Sequence, residues 1–292
     1  MIINQQNIKE IYQSMNTIFQ EALDGVKPMY NHVAMVVPST TKEEKYGWLG
    51  AFPRMREWLG DRHVEGLAIH DYSIKNKDFE STIEVDRNDI EDDTLGIYRP
   101  IVSELARQAG THPDELIFSL FGSGTTGLCY DGKAFFASNH PVGKGAASNH
   151  GGGSSTAWYL LDTGRAVKPF VFQSRRSLQF VSLDGLKDTN VFMQKKFVYG
   201  VDARYNAGYG LWQLAYLSKQ SLDATNYAAA RATMMSLKDD AGRPLGIMPN
   251  LLVVPPSLEG AARALLLNEM DSSGGTNTWR NTASLLVVPW LS

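Results

Sequence analysis

The sequence predicts an α+β fold in which helices and strands are grouped and do not strictly alternate. Three observations carry this expectation. Residues 5–24 and 97–121 place apolar side chains at helical spacing. Residues 157–173 and 191–217 are rich in aromatic and β-branched residues and read as long strands. Residues 221–292 then run helix, strand, helix, strand, a compact layered unit.

The first helix rests on Ile8, Ile11, Tyr12, Met15, Ile18, Phe19 and Leu23, and Gly25 and Pro28 stop it. With the apolar run HVAMVVP behind it, it suits either an arm laid on a neighbour or a helix packed on its own core. Residues 46–60 are rich in aromatics and turn formers, and 63–74 and 77–87 are strand candidates. In the second of these, Phe79, Ile83 and Val85 alternate with Asp78, Glu80, Thr82 and Glu84, the pattern of a half-exposed strand. The stretch Lys75–Asp78 predicts a hairpin tip, with Lys75 and Lys77 near its point. A lone hairpin is marginal in water, so a projecting one is expected to rest on another subunit.

Ile97, Ile101, Val102, Leu105 and Ala109 give one face of the next helix. Thr111 is a candidate cap for a second piece, with Pro113 in its first turn and Asp114 and Glu115 favoured by the helix dipole. A broken helix over 97–121, ending at Gly122, is expected. Residues 143–155, with GGGSS, predict a flexible linker. Asn206-Ala207-Gly208 predicts a turn between two antiparallel strands. Further on come a helix at 223–237, a buried strand at Leu251–Val254, a helix capped by Ser257 with Ala261, Ala264, Leu265 and Leu267 inside, and a strand at Leu285–Val288.

The 292 residues are 43% hydrophobic and 20% charged, which suits one large domain or two modest ones. A net charge of −3 argues against a histone-like wrapper of nucleic acid, which needs many cations to displace counterions. The one cysteine, Cys129, can make neither an intrachain disulfide nor a zinc cluster, and fits assembly in a reducing cytoplasm. The opening MIINQQNIKE has no signal-peptide pattern. No stretch approaches the ~18 consecutive apolar residues of a membrane span.

Catalytic motifs are not found. GSGTTG at 122–127 follows a helix and lacks the Gly-Lys-Ser/Thr ending of a phosphate loop, so its glycines are expected to end the helix and turn the chain. DRNDIEDD at 86–93 has Glu91 where a calcium loop needs glycine. His63 and His70, and His140 and His150, have no recognisable metal spacing, and His140-Pro141 reads as a turn. Cys129 reads as a small buried hydrophobe, and there is no Gly-x-Ser-x-Gly elbow. No catalytic, metal or cofactor-binding residue is assigned.

Charge is segregated. From Glu84 to Asp93, six acids face Arg87 alone, a balance of −5. From Arg165 to Arg204, eight bases outnumber three acids, a balance of +5. These are either two solvated faces or an acidic patch that meets a basic patch, within or between subunits, and so sets register. Lys75, Lys77, Phe79, Asp92, Asp93, Arg175 and Arg176 are the candidate inter-subunit contacts.

Seven stretches together resemble the Mu-like prophage major head subunit family: YGWLGAFPRMREWLGDR (46–62), DYSIKNKDFESTIEVDRNDIEDDTLGIY (71–98), HPDELIF (112–118), CYDGKAFFASNHP (129–141), AWYLLDTGRAVKPFVFQ (157–173), VYGVDARYNAGYGLWQLA (198–215) and GRPLGIMPNLLVVPPSLE (242–259). The resemblance implies the Hong Kong 97 (HK97)-type capsid fold of tailed phages. Residues 1–45 would be the N-terminal arm and 46–93 the E-loop region, with its hairpin at 63–92. Residues 94–220 would be the P-domain with its spine helix at 97–121, and 221–292 the A-domain. In that fold the A-domain commonly precedes the last long P-domain strands, and here the blocks are exchanged. Leu291 is therefore expected near Thr156–Trp158.

The implied activity is self-assembly into pentamers and hexamers of an icosahedral shell, built in the bacterial host cytoplasm. It needs no cofactor and no membrane. Packaged double-stranded DNA would be touched weakly, and portal, scaffold and decoration proteins would be partners. Cross-linking through Lys75 or Lys77 is not expected, since no partner asparagine or acid is matched. On sequence alone two other classes stay open: a hydrolase with an unrecognised site, and a phage tail or decoration protein.

Overall fold

The computed structural model describes residues 4–47, 49, 71–92, 95–271 and 274–291. Helix α1 (Gln5–Asp24) starts at Asn4, whose side-chain oxygen accepts the Asn7 N–H. Strands β1 (Ala34–Pro38), β2 (Glu43–Lys45), β3 (Ser73–Lys75) and β4 (Lys77–Asp86) precede the short α2 (Arg87–Glu91) and the long α3 (Arg99–Ser123). Strands β5 (His140–Val142), β6 (Gly145–Ala147), β7 (His150–Gly153) and β8 (Trp158–Leu161) lead to β9 (Phe170–Leu183), α4 (Thr189–Gln194) and β10 (Lys196–Tyr209). The last of these elements are β11 (Ala215–Lys219), α5 (Ala224–Met235), β12 (Leu251–Val254), α6 (Glu259–Leu266) and β13 (Ser284–Val287).

Two main sheets are formed. The first has the order β1-β9-β10-β4, with β1 parallel to β9 and the other pairs antiparallel. The second has the order β13-β12-β8-β11-β7. Helix α3 joins their cores. Its first half places Val102, Leu105 and Ala106 against Ile8, Ile11, Met15 and Phe19 of α1 and against Phe180 and Tyr199 of the first sheet. Its second half places Ile117, Phe118 and Phe121 in the larger core with Tyr159, Phe170 and Trp212. Twenty-five residues span about 37 Å, long enough to serve both. The apolar stripe of α1 is thus buried in its own chain.

Several expectations are corrected. The segment 71–92 is not a projecting hairpin: β4 is hydrogen-bonded along its whole length to β10, from Asp86↔Lys196 to Lys77↔Tyr205. Alternation reports a half-buried strand without naming its partner, and here the partner is distant. Residues 51–70, including the start of the expected hairpin, lie outside the described residues. The Lys75–Asp78 stretch is no tip, because Asn76 is buried and its amide donates to Ser39 Oγ (2.8 Å) and Thr41 O (2.9 Å). Gln173, fully buried, donates to Asn76 Oδ1 (2.8 Å) and Ile74 O (3.0 Å) and accepts from Tyr46 Oη (2.8 Å).

Helix α3 has no break. The Thr111 hydroxyl donates back to Arg107 O (3.1 Å) and Gln108 O (3.2 Å), so it supports the preceding turn and caps nothing. The helix runs past Gly122 to Ser123, and GSGTTG turns the chain as expected. Asn206, Ala207 and Gly208 lie inside β10 and pair with Gln173, Phe172 and Val171. Gly208 serves close approach: a Cβ there would sit 2.4 Å from Ile74 Cδ1.

The 143–155 stretch is strand and turn. Gly143 turns β5 into β6 at φ +57°, and β7 lies parallel to β11. Ser257 sits in a 3-10 turn and does not cap α6, which buries Ala262, Leu265 and Leu266 and leaves Ala261, Ala264 and Leu267 outward.

The division into 94–220 and 221–292 also changes. Strands β8 and β11 belong to the second sheet, beside β12. The chain therefore enters that sheet before β9 and β10 and returns to it afterwards. Leu286 pairs with Val253, which pairs with Tyr159, so these three share one row. Trp290 stacks on Phe118 at 5.9 Å, and the Tyr159 hydroxyl reaches Phe121 O. The segment ending at Leu291 and the start of β8 thus lie at the same end of the sheet, with β12 between β13 and β8.

Candidate assembly surfaces

The expected contact residues divide. Lys75 and Lys77 are exposed at the ends of β3 and β4. Phe79 is half-buried and serves its own chain: its ring stacks on Tyr205 (4.9 Å) and meets His112 edge-on (4.5 Å). Burial holds the His112 imidazole below its ordinary range, so it packs there as a largely neutral ring. Asp92 is exposed at the end of α2, and Asp93 lies outside the described residues. Arg175 is exposed and approaches Ser39 O at 3.4 Å, while Arg176 pairs with Asp202 at 2.7 Å.

The acidic and basic segments do meet, but within the chain and through the strand register. Glu84 pairs with Lys196 across β4 and β10, and the Arg87 N–H donates to Lys195 O. Arg176 finds its acid in Asp202, on the neighbouring strand. All these pairs are substantially exposed, so each is worth ~0–1 kcal/mol.

A surface that sequence reasoning missed lies at the β9–β10 turn. Val181, Leu183, Leu186, Phe192 and Met193 are all exposed there, Phe192 at 79% and Met193 at 70%. The turn is held firmly. Asn190 donates to both Leu183 O (2.9 Å) and Lys196 O (2.8 Å), clamping the two strands, and Val191 is the buried residue of α4. Lys195 closes α4 in the left-handed region at φ +58°. Phe192 and Met193 are therefore presented on a fixed turn. The sequence signal was Val191-Phe192-Met193, read as strand because an apolar triplet does not say which residue faces out.

A third cluster carries chemistry. Cys129 Sγ donates to Asp131 Oδ1 (3.1 Å), and His140 Nδ1 lies 2.7 Å from Asp131 Oδ2. Their ligand atoms all lie within 4.8 Å of one another. Burial, with the Asp131 carboxylate beside it, pushes the Cys129 thiol well up, which rules it out as a free nucleophile. Spacing could not reveal this cluster, because it needs the 129–140 turn to close.

A family model described as Mu-like prophage major head subunit gpT matches residues 8–291. The chain belongs to this family. It is 42% identical over 305 residues to the major capsid protein of Escherichia phage Mu, covering both chains completely. It is 38% identical to the Mu-like prophage FluMu major head subunit of Haemophilus influenzae, over 92% of this chain and 91% of that one. In three dimensions it matches a chain of the bacteriophage JBD30 procapsid with a TM-score of 0.88 and 42% identity, over 99% of this chain and 100% of that one. A chain of the bacteriophage JBD30 capsid matches at 0.81 and 34%, with full coverage of both. This Mu-like head subunit is thus a structural capsid protein with the HK97-type fold. The hydrolase and the tail or decoration protein are set aside.

Proposed function

We propose that this head subunit self-assembles through rings of five and six copies into a closed icosahedral shell around double-stranded DNA. Assembly takes place in the cytoplasm of a bacterial host, with portal, scaffold and decoration proteins as partners. The subunit works through contacts alone, with no catalytic step. The observation that carries this reading is the end-to-end similarity to a procapsid chain at a TM-score of 0.88. The fixed apolar turn at Phe192 and Met193 supports it, since a side chain that is 79% or 70% exposed on a clamped turn is a surface for a neighbour.

In this reading the first sheet with α3 is the P-domain, and the second sheet with α5 and α6 is the A-domain. Both are discontinuous in sequence. Rings require heterologous contacts, so the apolar turn of one subunit meets a different surface of the next. Exposed Lys75, Lys77, Asp92 and Arg175 remain candidate contacts. The net charge of −3 suits a wall that touches DNA weakly and non-specifically.

The test is negative-stain microscopy with size-exclusion chromatography of the purified full chain, alone and co-expressed with its scaffold. Closed or ring-like particles are expected. A small compact species under both conditions overturns the proposal.

A further inference from the structure

We propose that Cys129, Asp131 and His140 form a binding site for one divalent cation of borderline softness, zinc above all. The argument begins at Asn149. Its amide nitrogen donates to Phe135 O (2.8 Å) and Trp212 O (3.2 Å), which fixes the orientation of the amide. Its oxygen then faces donors: Ala137 N–H at 2.9 Å and His140 Nε2 at 3.2 Å. His140 Nε2 therefore carries a proton, which it donates to that oxygen. That leaves Nδ1 facing Asp131 Oδ2, 2.7 Å away. Two acceptors at that distance repel unless a positive charge lies between them. A positive charge here satisfies both: a proton as the pair stands, or a metal ion once the two atoms open to the ~3.3 Å that tetrahedral zinc sets between its ligands.

The third ligand favours the metal. The Cys129 thiol is turned onto the same carboxylate at 3.1 Å, so that sulfur, nitrogen and oxygen ligand atoms lie within 4.8 Å of one another in one buried cluster. A thiolate, an imidazole nitrogen and a carboxylate are the donor types zinc takes, and the second Asp131 oxygen or a water completes four-coordination. Charge also balances. Cys129 and His140 are buried, and the Asp131 side chain is only 5% exposed. Thiolate, carboxylate and a dication sum to zero, which a buried site requires. On binding, the metal–sulfur and metal–nitrogen bonds form as the thiol proton, with any proton on Nδ1, passes to solvent.

The surroundings are those of an ordered site. The His140 to Asn149 bond is the outer hydrogen bond that orients a ligating histidine. The imidazole stacks on the Trp212 indole at 3.9 Å and 7°. The Lys133 N–H holds Asp131 Oδ1 at 2.9 Å, and exposed Gly132 and Lys133 put solvent one residue away, an entry path for the ion. A bound ion would tie the 129–131 turn to His140, and so hold Asn149 where its carbonyl accepts the Leu217 N–H of β11.

The experiment loads the purified full chain with zinc or cobalt(II), removes free metal and measures bound metal by mass spectrometry. Expected are about one ion per chain and, for cobalt, a near-ultraviolet thiolate charge-transfer band with the visible bands of a tetrahedral site. Cys129→Ser keeps a hydrogen-bond donor to Asp131 but removes the soft ligand, and should weaken zinc binding by at least ~100-fold. Asn149→Ala should weaken it ~10–100-fold. A parent chain that retains no metal, or a cobalt complex with no thiolate band, overturns the site in favour of a proton held between His140 and Asp131. So does a Cys129→Ser chain that binds zinc as tightly as the parent. If that variant fails to fold, the cobalt spectrum of the parent decides alone.

Discussion

Glu44 is a half-exposed carboxylate with four intrachain donors. Its Oε1 accepts the backbone N–H groups of Thr41 (2.9 Å) and Thr40 (2.7 Å) and the hydroxyls of Ser39 and Thr41. These bonds, the backbone ones first, hold its carboxyl down to about 2. Because the folded value is depressed, its stabilisation is present above the ordinary glutamate range and lost as pH falls through about 2. Glu44→Gln should lower the thermal midpoint at neutral pH, and parent and variant should converge in acid as that value is approached. A gap that stays constant with pH would mean these bonds stabilise nothing. Residue roles of this kind were hard to read from sequence. Asp114 suited the helix dipole, but it is buried on α3 and accepts the N–H groups of Met29 (3.1 Å) and Tyr30 (2.7 Å), partners far upstream.

Among the elements, β7 depends most on a single position. Gly153 has φ +94°, and a Cβ there would sit 2.1 Å from the Lys219 carbonyl oxygen of β11. Neither the backbone conformation nor the space suits a side chain, and the obstacle is backbone that cannot swing away. Gly153→Ala should destabilise by ~1–3 kcal/mol through backbone strain, with more from the clash. Amide exchange should quicken at 150–153 and 217–219 and stay slow in β9 and β10. Uniform protection in the variant would show that β7 can shift at no cost. Composition had made this stretch a linker, because glycine is equally the residue of flexible chain and of backbones packed too closely for any Cβ. Helices fared better in sequence: α1 lies where its periodicity put it, since an amphipathic stripe is a local pattern.

For the whole molecule, assembly is expected to depend on the β9–β10 turn. Each large apolar side chain buried on association contributes ~1.5–3 kcal/mol, multiplied over every copy in a shell. Phe192→Ser with Met193→Ser should leave circular dichroism and the subunit's melting unchanged, because Asn190 and Val191 hold the turn without them. Sedimentation of the variant should show few or no closed particles and a larger pool of free subunit. Parent-like particle yields would remove this turn from the assembly surface.

The sequence by itself determined the α+β class, the first long helix and the place (though not the unbroken course) of the second, the C-terminal helix–strand order and, through seven scattered stretches, the family. These are local or summed signals that survive without knowing which strand lies beside which. Only the tertiary structure decided that β4 pairs with β10, that β8 and β11 join β12 in the second sheet, and that Cys129, Asp131 and His140 meet. A strand's pattern records how much of it is buried and on which side. Its neighbour is chosen by packing between segments far apart in the chain, where one side chain's fit depends on all the others.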